Sequence, residues 1–307
     1  MTSVALVSCR AARGLDDDMP PLLAAFAAAG VAAEVADWDD PSVPWERFDA
    51  ALLRSAWDYT RRIREFRAWV ERTAESTLLL NPPPVVRWNS DKHYLADLER
   101  AGVPIVPSRF CEPDGDAEGA LAEFLAAHPE EELVVKPAIG AGSRDTRRHL
   151  RGASGEILAH MRALLEAGRS VLLQPYLAKV DRDGETALIY IEGEFSHAIR
   201  KGPLLPAGAQ ATAALFAAED ITVRAPGADE RSVGEQILAA LPFGRLLYAR
   251  IDLIRGPAHE PRLLELEITE PSLFFPYAPG SAQRLVRATL ARLGASSAGV
   301  AARQPIM

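Results

Sequence analysis

Arg250-Ile251-Asp252-Leu253, followed by Leu264-Glu265-Leu266-Glu267-Ile268-Thr269-Glu270-Pro271, reads as two neighbouring strands with carboxylates at alternating positions. Side chains i and i+2 share one face of a strand, so Glu265 and Glu267 point the same way. Leu264, Leu266 and Ile268 then suit the opposite, core-packed side. Like charges side by side repel, and Asp252 placed beside them adds to the repulsion. A hard cation such as Mg²⁺ relieves it. Taken alone, the two glutamates also fit the solvated face of a half-buried strand, so the rest of the chain has to decide between the two readings.

The chain has 307 residues, long enough for two or three compact units, and its 48% hydrophobic and 25% charged content is that of a globular enzyme. A net charge of -8 argues against nucleic acid or an anionic membrane surface as partner. Only Cys9 and Cys111 are present, which leaves neither a disulfide framework nor a CxxC metal site and fits a reducing cytoplasm. Met1 to Cys9 carries no basic leader, and no stretch reaches the ~20 apolar residues of a membrane span. The expected location is therefore cytoplasmic.

Three parts follow from the patterning. Residues 1–88 alternate strand (Val4–Val7), helix (Pro20–Ala29, ended by Gly30), strand (Ala32–Val35) and strand (Asp49–Leu53), which predicts a small parallel sheet with covering helices. Its ligand crevice belongs at the carboxyl ends of the strands, where Arg54-Ser55-Ala56-Trp57-Asp58-Tyr59 offers groups suited to gripping a small zwitterion. The same loop also reads as Trp57 and Tyr59 covering the sheet edge. Pro82-Pro83-Pro84 predicts an extended crossing segment that closes this unit, and Asn89-Ser90-Asp91 predicts the cap of a linking helix from about Lys92 to Arg100. Residues 89–177 form a second lobe, with the linking helix inside 89–105. Residues 178–307 are strand-dominated and end on a helix over Ala282–Leu293.

A glycine loop is the second chemical signal. Leu133-Val134-Val135-Lys136 is a strand ending in a lysine, and Gly140-Ala141-Gly142-Ser143-Arg144 follows it. Glycines let backbone N–H groups approach phosphate oxygens, and Ser143 adds a donor. A hairpin turn explains the loop equally well by itself. Lys136 is harder to dismiss, because a charge ending an apolar strand needs a partner, and phosphate is a natural one. No Walker A loop occurs anywhere.

Taken in order, Lys92, Lys136, the glycine loop, Gln174-Pro175-Tyr176-Leu177, Glu185, Arg250-x-Asp252 and Glu265-x-Glu267 resemble the ATP-grasp fold, and the resemblance covers essentially the whole chain. It implies an α/β protein with a small parallel α/β N-terminal domain, a central α+β lid lobe and a C-terminal α+β domain, with ATP between the last two. Lys92, Lys136 and Gly140, Ala141, Gly142 and Ser143 would contact phosphates, Gln174 to Leu177 would form the hinge that holds adenine, and Glu185 would touch the nucleotide. The resemblance further implies Mg²⁺ on Asp252, Glu265 and Glu267, and Arg250 steadying an acyl phosphate. Glutamate at 267 departs from the family's usual Glu-x-Asn, which leaves open whether one or two Mg²⁺ are held.

The strings Arg54–Tyr59, Leu80-Asn81-Pro82-Pro83, Arg87–Lys92, Gly193–Lys201 and Glu270-Pro271-Ser272-Leu273-Phe274 are similar to the bacterial ATP-grasp branch that contains the cycloserine-forming cyclo-ligase. In that reading the substrate is a small amino-acid-like molecule, O-ureido-D-serine. Arg54, Ser55, Trp57, Asp58 and Ser272 are its candidate contacts, and Arg200 and Lys201 are candidate catalytic cations, with two readings open: both face the cleft from one strand end, or they form a solvent-exposed basic pair. The alternative is a ligase joining an amino acid to a separate amine. His197 and His149 are expected to be structural, and the alanine-rich stretch Gly202–Glu219 is expected to shape the substrate pocket. A homodimer is compatible with the family.

Overall fold

A computed structural model gives the architecture, describing residues 2–203, 205 and 220–301, the last six for their backbone only. In chain order the elements are β1 (Ser3–Ser8), α1 (Met19–Ala28), β2 (Ala32–Asp37), β3 (Ala50–Ser55), α2 (Ile63–Ala74), β4 (Leu78–Leu80), α3 (Pro83–Asn89) and α4 (Tyr94–Arg100). Then come β5 (Arg109–Cys111), α5 (Ala117–Ala127), β6 (Glu132–Pro137), β7 (Arg147–Leu150), α6 (Ser154–Glu166) and β8 (Val171–Pro175). The chain continues with α7 (Val180–Asp183), β9 (Glu185–Ile191), β10 (Glu194–Lys201), β11 (Ile221–Val223), α8 (Ala228–Ala240), β12 (Tyr248–Arg255), β13 (Pro261–Glu267) and α9 (Ser281–Ala301).

Three sheets result. The first is parallel, in the order β2-β1-β3-β4, as expected from buried apolar strands alternating with helices. The second is antiparallel, β5-β8-β6-β7, flanked by α5 and α6. The third is antiparallel, β11-β10-β9-β12-β13. The first and third are not separate cores: Leu6, Phe26 and Leu52 pack in one cluster with Ile189, Ile199, Tyr248 and Leu285.

Two expectations around the first crossing fail. The triple proline does not run extended; Pro83 and Pro84 open α3 with Pro82 as its cap. Proline suits the first helical turn because its missing N–H is one that the helix leaves unpaired there. Asn89 does not cap the next helix either, since His93 holds that position and Asp91 accepts its N–H at 3.2 Å. Asn89 instead donates to Leu266 O (2.8 Å) and accepts from Ile268 N (2.8 Å). Asn81 works the same way, donating to Tyr248 O and Ile268 O and accepting from Leu247 N. Two buried amides thus act as an extra strand, fixing the end of β12 and the residues after β13 against the N-terminal unit.

Candidate functional site

The carboxylate strands pair as expected, with one alteration. Arg250 lies opposite Glu267 and Asp252 opposite Glu265, but the register then shifts between Asp252 and Leu253, so that Leu263 follows Glu265 as the next partner. The extra residue is Leu264. A bulge re-aims the side chain it inserts, and Leu264, expected on the core side with Leu266, joins Val106, Val134, Tyr176, Leu177, Val180 and Ile254 in an apolar slot. Leu266 stays in the core beneath.

Two cavities meet at this pair. The smaller, about 120 Å³, is lined by Lys92, Lys136, Gly140–Ser143, Gln174–Leu177, Glu185, Lys201, Leu264 and Glu265, among others. The larger, about 300 Å³, takes Lys92, Gly140–Gly142, Arg250, Glu265, Glu267, Ser272 and, from the Arg54–Tyr59 loop, Trp57 and Tyr59, and adds residues to which sequence reasoning gave no ligand role: Asp16, Asp17, Asp18, Asn89, Glu270, Phe274 and Tyr277. Lys92, the glycine loop and Glu265 belong to both walls.

Three buried cations at the junction, Lys92, Lys201 and Arg250, face carboxylates. Lys92 Nζ reaches Glu265 Oε1 at 2.9 Å and donates to Gly140 O at 2.8 Å, tying the glycine loop to β13. Lys201 Nζ sits 2.8 Å from Glu185 and 2.7 Å from Asp252. Arg250 donates to Asp252 Oδ1 at 3.0 Å, to Ser272 O at 3.2 Å and to Glu267. Burial works against ionisation of Asp252, but Arg250 and Lys201 hold its carboxyl below the usual range. Burial likewise opposes ionisation of Glu265, which Lys92 and Lys136 bring down. Glu267 behaves differently: burial, opposed by Arg250 and reinforced by the charges of Glu265 and Asp252, pushes it up to about 7. Burial lowers Lys136 to about 8. In the glycine loop Gly142 and Ser143 both take positive φ (61° and 57°), a left-handed turn that glycine adopts at no steric cost.

Among the described residues, no three His, Cys, Asp or Glu side chains close around a cation position. Glu265 and Glu267 face the larger cavity, while the Asp252 carboxylate lies beneath them against Lys201 and Arg250. The donor set still fits Mg²⁺. Three hard carboxylates share one strand pair; burial first, and the charges of Glu265 and Asp252 with it, raise Glu267, and a divalent cation would relieve that repulsion.

Several expected site residues lie elsewhere. Arg200 is separated from Lys201 because neighbours on a strand point to opposite faces; it donates to Asp183 O at 3.1 Å and pairs with Asp220. Arg54 lines neither cavity. It is 1% exposed and bonds Pro271 O (2.8 Å) beside the Asp18 carboxylate. Asp18 in turn accepts from the N–H groups of Leu273, Phe274 and Phe275, so the pair positions the loop that carries Ser272. Ser55 bonds Ser8 at 2.9 Å, and Asp58 holds Trp38 and Arg62; neither residue lines either cavity. Trp57 and Ser272 do line the larger cavity, with Trp57 Nε1 donating to Glu270 O at 3.3 Å. His197 is structural as expected, bonded to Leu273 O at 2.8 Å and lowered by burial, and His149 pairs with His160 at 3.2 Å. Most of Gly202–Glu219 lies outside the described residues.

Sequence reasoning missed the two acidic walls of the larger cavity. Asp16–Asp18 precedes α1 and reads as an ordinary helix start, and Glu270 stood within the quoted motif without a role. Burial pushes Glu270 up to about 8, helped by the Glu267 charge and opposed by a hydrogen bond from Tyr59.

A lysine-flanked glycine loop closing over a carboxylate-bearing strand pair, with an apolar slot behind it, defines an ATP-grasp protein. The RimK domain protein ATP-grasp of Sphaerobacter thermophilus shares this fold, with a TM-score of 0.66 at 18% identity, covering 94% of this chain and all of that one. Cycloserine biosynthesis protein DcsG of Streptomyces lavendulae is 42% identical over 303 residues, 95% of this chain and 99% of the relative. A crystal structure of D-cycloserine synthetase DcsG superposes with a TM-score of 0.90 at 40% identity, covering 95% of this chain and 99% of that one. Residues 4–81 match the family described as D-cycloserine synthetase DcsG, N-terminal domain. The chain belongs to the DcsG family of ATP-grasp ligases. No helix among the described residues is long and apolar enough to cross a membrane.

Proposed function

We propose that this chain cyclises O-ureido-D-serine to D-cycloserine, activating the substrate carboxylate with ATP. The observation that carries the reading is the position of Arg250, opposite Glu267 on the wall of the larger cavity, which the glycine loop shared by both cavities also lines. The adenine base would take the apolar slot, the triphosphate the glycine loop, and the amino acid the larger cavity. The carboxylate attacks the γ-phosphoryl group, ADP leaves, and an acyl phosphate forms. The ureido nitrogen bonded to oxygen then attacks the acyl carbon, gives up its proton and releases phosphate, and water cleaves the carbamoyl group from that nitrogen as CO2 and ammonia, leaving the ring.

Little covalent work falls to the protein in such a transfer; positioning and charge do most of it. Lys92 and Lys136 would lie along the phosphates, where a polyanion would hold the buried Lys136 in its charged form. Arg250 presents a planar fork suited to the oxygens of the acyl phosphate and of the tetrahedral species that follows. Glu265, Glu267 and Asp252 would hold Mg²⁺, which supplies charge neutralisation on the phosphate oxygens. Intramolecular attack needs no second amine site.

ADP release measured with O-ureido-D-serine as the only other substrate tests the reading. Turnover without added amine is expected. Strict dependence on an added amine would sink cyclisation and leave a carboxylate–amine ligase.

A further inference from the structure

Gln174 lines the smaller cleft, and the hydrogen bonds of its side chain determine which way its amide points. Ser108, between α4 and β5, lies 2.8 Å from the carbonyl of Val106. A carbonyl only accepts, so the single hydroxyl proton of Ser108 is committed there. Its oxygen then has only lone pairs left for Gln174, 2.9 Å away, and the group facing it must be the Nε2 amino group. That settles an amide orientation which distances alone leave ambiguous.

The consequence falls on the other end of the amide. Gln174 is 1% exposed and lines the cleft, and among the described residues no hydrogen bond reaches its Oε1. A carbonyl acceptor therefore stands at the edge of a slot whose walls, Val134, Ile254 and Leu264, are apolar. Such a site favours a flat ligand that brings one donor.

We propose that Ser108 is a positioning residue for base selection. By holding the Gln174 amide with its carbonyl toward the slot, it makes the cleft accept a purine with a 6-amino group and reject a 6-oxo purine. The inference rests on the reading of this cleft as the nucleotide site. A 6-amino group donates to Oε1, whereas a 6-oxo group sets lone pairs against lone pairs and leaves both unpaired away from water. Without the Ser108 hydroxyl, the amide turns about its terminal torsion, which is broad and two-fold, and offers its amino group to a 6-oxo base.

Calorimetric titration of the full chain with ADP and with IDP tests this, since the two bases differ in the 6-substituent and the N1 proton that goes with it. The unaltered chain is expected to bind IDP about 100-fold more weakly, because an unpaired buried polar group discriminates strongly. Ser108→Ala should bring the ratio within about fivefold, and Ser108→Thr should keep it near the original value. Gln174→Leu carries the same expectation as Ser108→Ala and keeps the test open if that variant does not fold. Equal binding of ADP and IDP by the unaltered chain overturns the inference, as does a preference unchanged by both Ser108→Ala and Gln174→Leu. Binding of neither nucleotide defeats the reading of the cleft itself.

Discussion

The two cavities share Lys92, the glycine loop and Glu265, yet they are assembled in different ways. The smaller is lined by the ends of regular strands: β6 supplies Val134 and Lys136, β8 supplies Gln174 and Pro175, and β9 and β10 supply Glu185 and Lys201. The larger draws on segments far apart in the chain, Leu15–Asp18, Trp57–Tyr59 and Glu270–Tyr277. Strand ends can be placed from periodicity. Loops that converge through buried charge pairs cannot, because the pairing depends on which distant residue arrives.

Two arginines make the contrast concrete. Arg54 and Arg250 both end up buried against an aspartate, but Arg54 holds the loop carrying Ser272 whereas Arg250 opens onto the cavity. Lysine keeps the charge of either and removes the fork. Arg250→Lys should lower kcat for ADP formation by about 10³-fold, the scale of one preorganised donor lost from a transition state. Arg54→Lys should leave kcat within about threefold in the folded fraction and cost about 2 kcal/mol of stability in urea unfolding, because the bond to Pro271 O weakens. If both variants lost turnover equally, the division of roles would be wrong.

Glu265 sharpens the shared wall. Glu265→Gln keeps the shape of the side chain and removes the charge that Lys92 and the divalent cation both need. Turnover should fall about 10²-fold in a chain that still folds, with a lower melting temperature because Lys92 loses its counter-charge, read by steady-state assay and thermal unfolding side by side. Unchanged activity would remove the metal role assigned to it.

What the sequence revealed follows the same line. The parallel sheet of the N-terminal unit, the pairing of Arg250–Leu253 with the Glu265 strand and the lysine at the end of β6 were legible, because they depend on alternation within a few residues. Leu264 was not. Nothing in Leu264-Glu265-Leu266 distinguishes a regular strand from one with an inserted residue, and the shift moves one leucine from the core to the slot. Arg54 and Asp58 looked like ligand contacts because loop charges at the carboxyl ends of strands often are; here Asp18 and Arg62 claim them. Asp18 gave no sign of its role, since its three N–H partners come from Leu273–Phe275 at the other end of the chain.

That long-range bond predicts a stability effect. Asp18→Ala leaves three buried N–H groups without their acceptor and the Arg54 guanidinium without its counter-charge, and should cost about 3 kcal/mol in denaturant unfolding. Substrate binding should weaken with it, because Ser272 and Phe274 sit on the released loop.

The smallest effect distinguishes a buried carboxyl that is paired from one that is not. Asp18 has donors around it, whereas Glu270, 7% exposed beside Glu267, has the Tyr59 bond and a pKa raised to about 8. At pH below about 4.5 Glu270 is protonated in both folded and unfolded chains, so its contribution to stability is fully present there. As pH rises toward 8 the unfolded chain releases the proton while the folded chain keeps it, and stability falls. Without ligand, the unaltered protein should therefore lose about 1–3 kcal/mol relative to Glu270→Gln between pH 5 and pH 8, measured by urea unfolding across that range. The glutamine stays neutral at every pH, so the difference between the two curves isolates this one carboxyl. Parallel curves would show that Glu270 ionises freely and that the cavity around it admits water; a widening gap would show that its burial works against ionisation until a cationic ligand arrives.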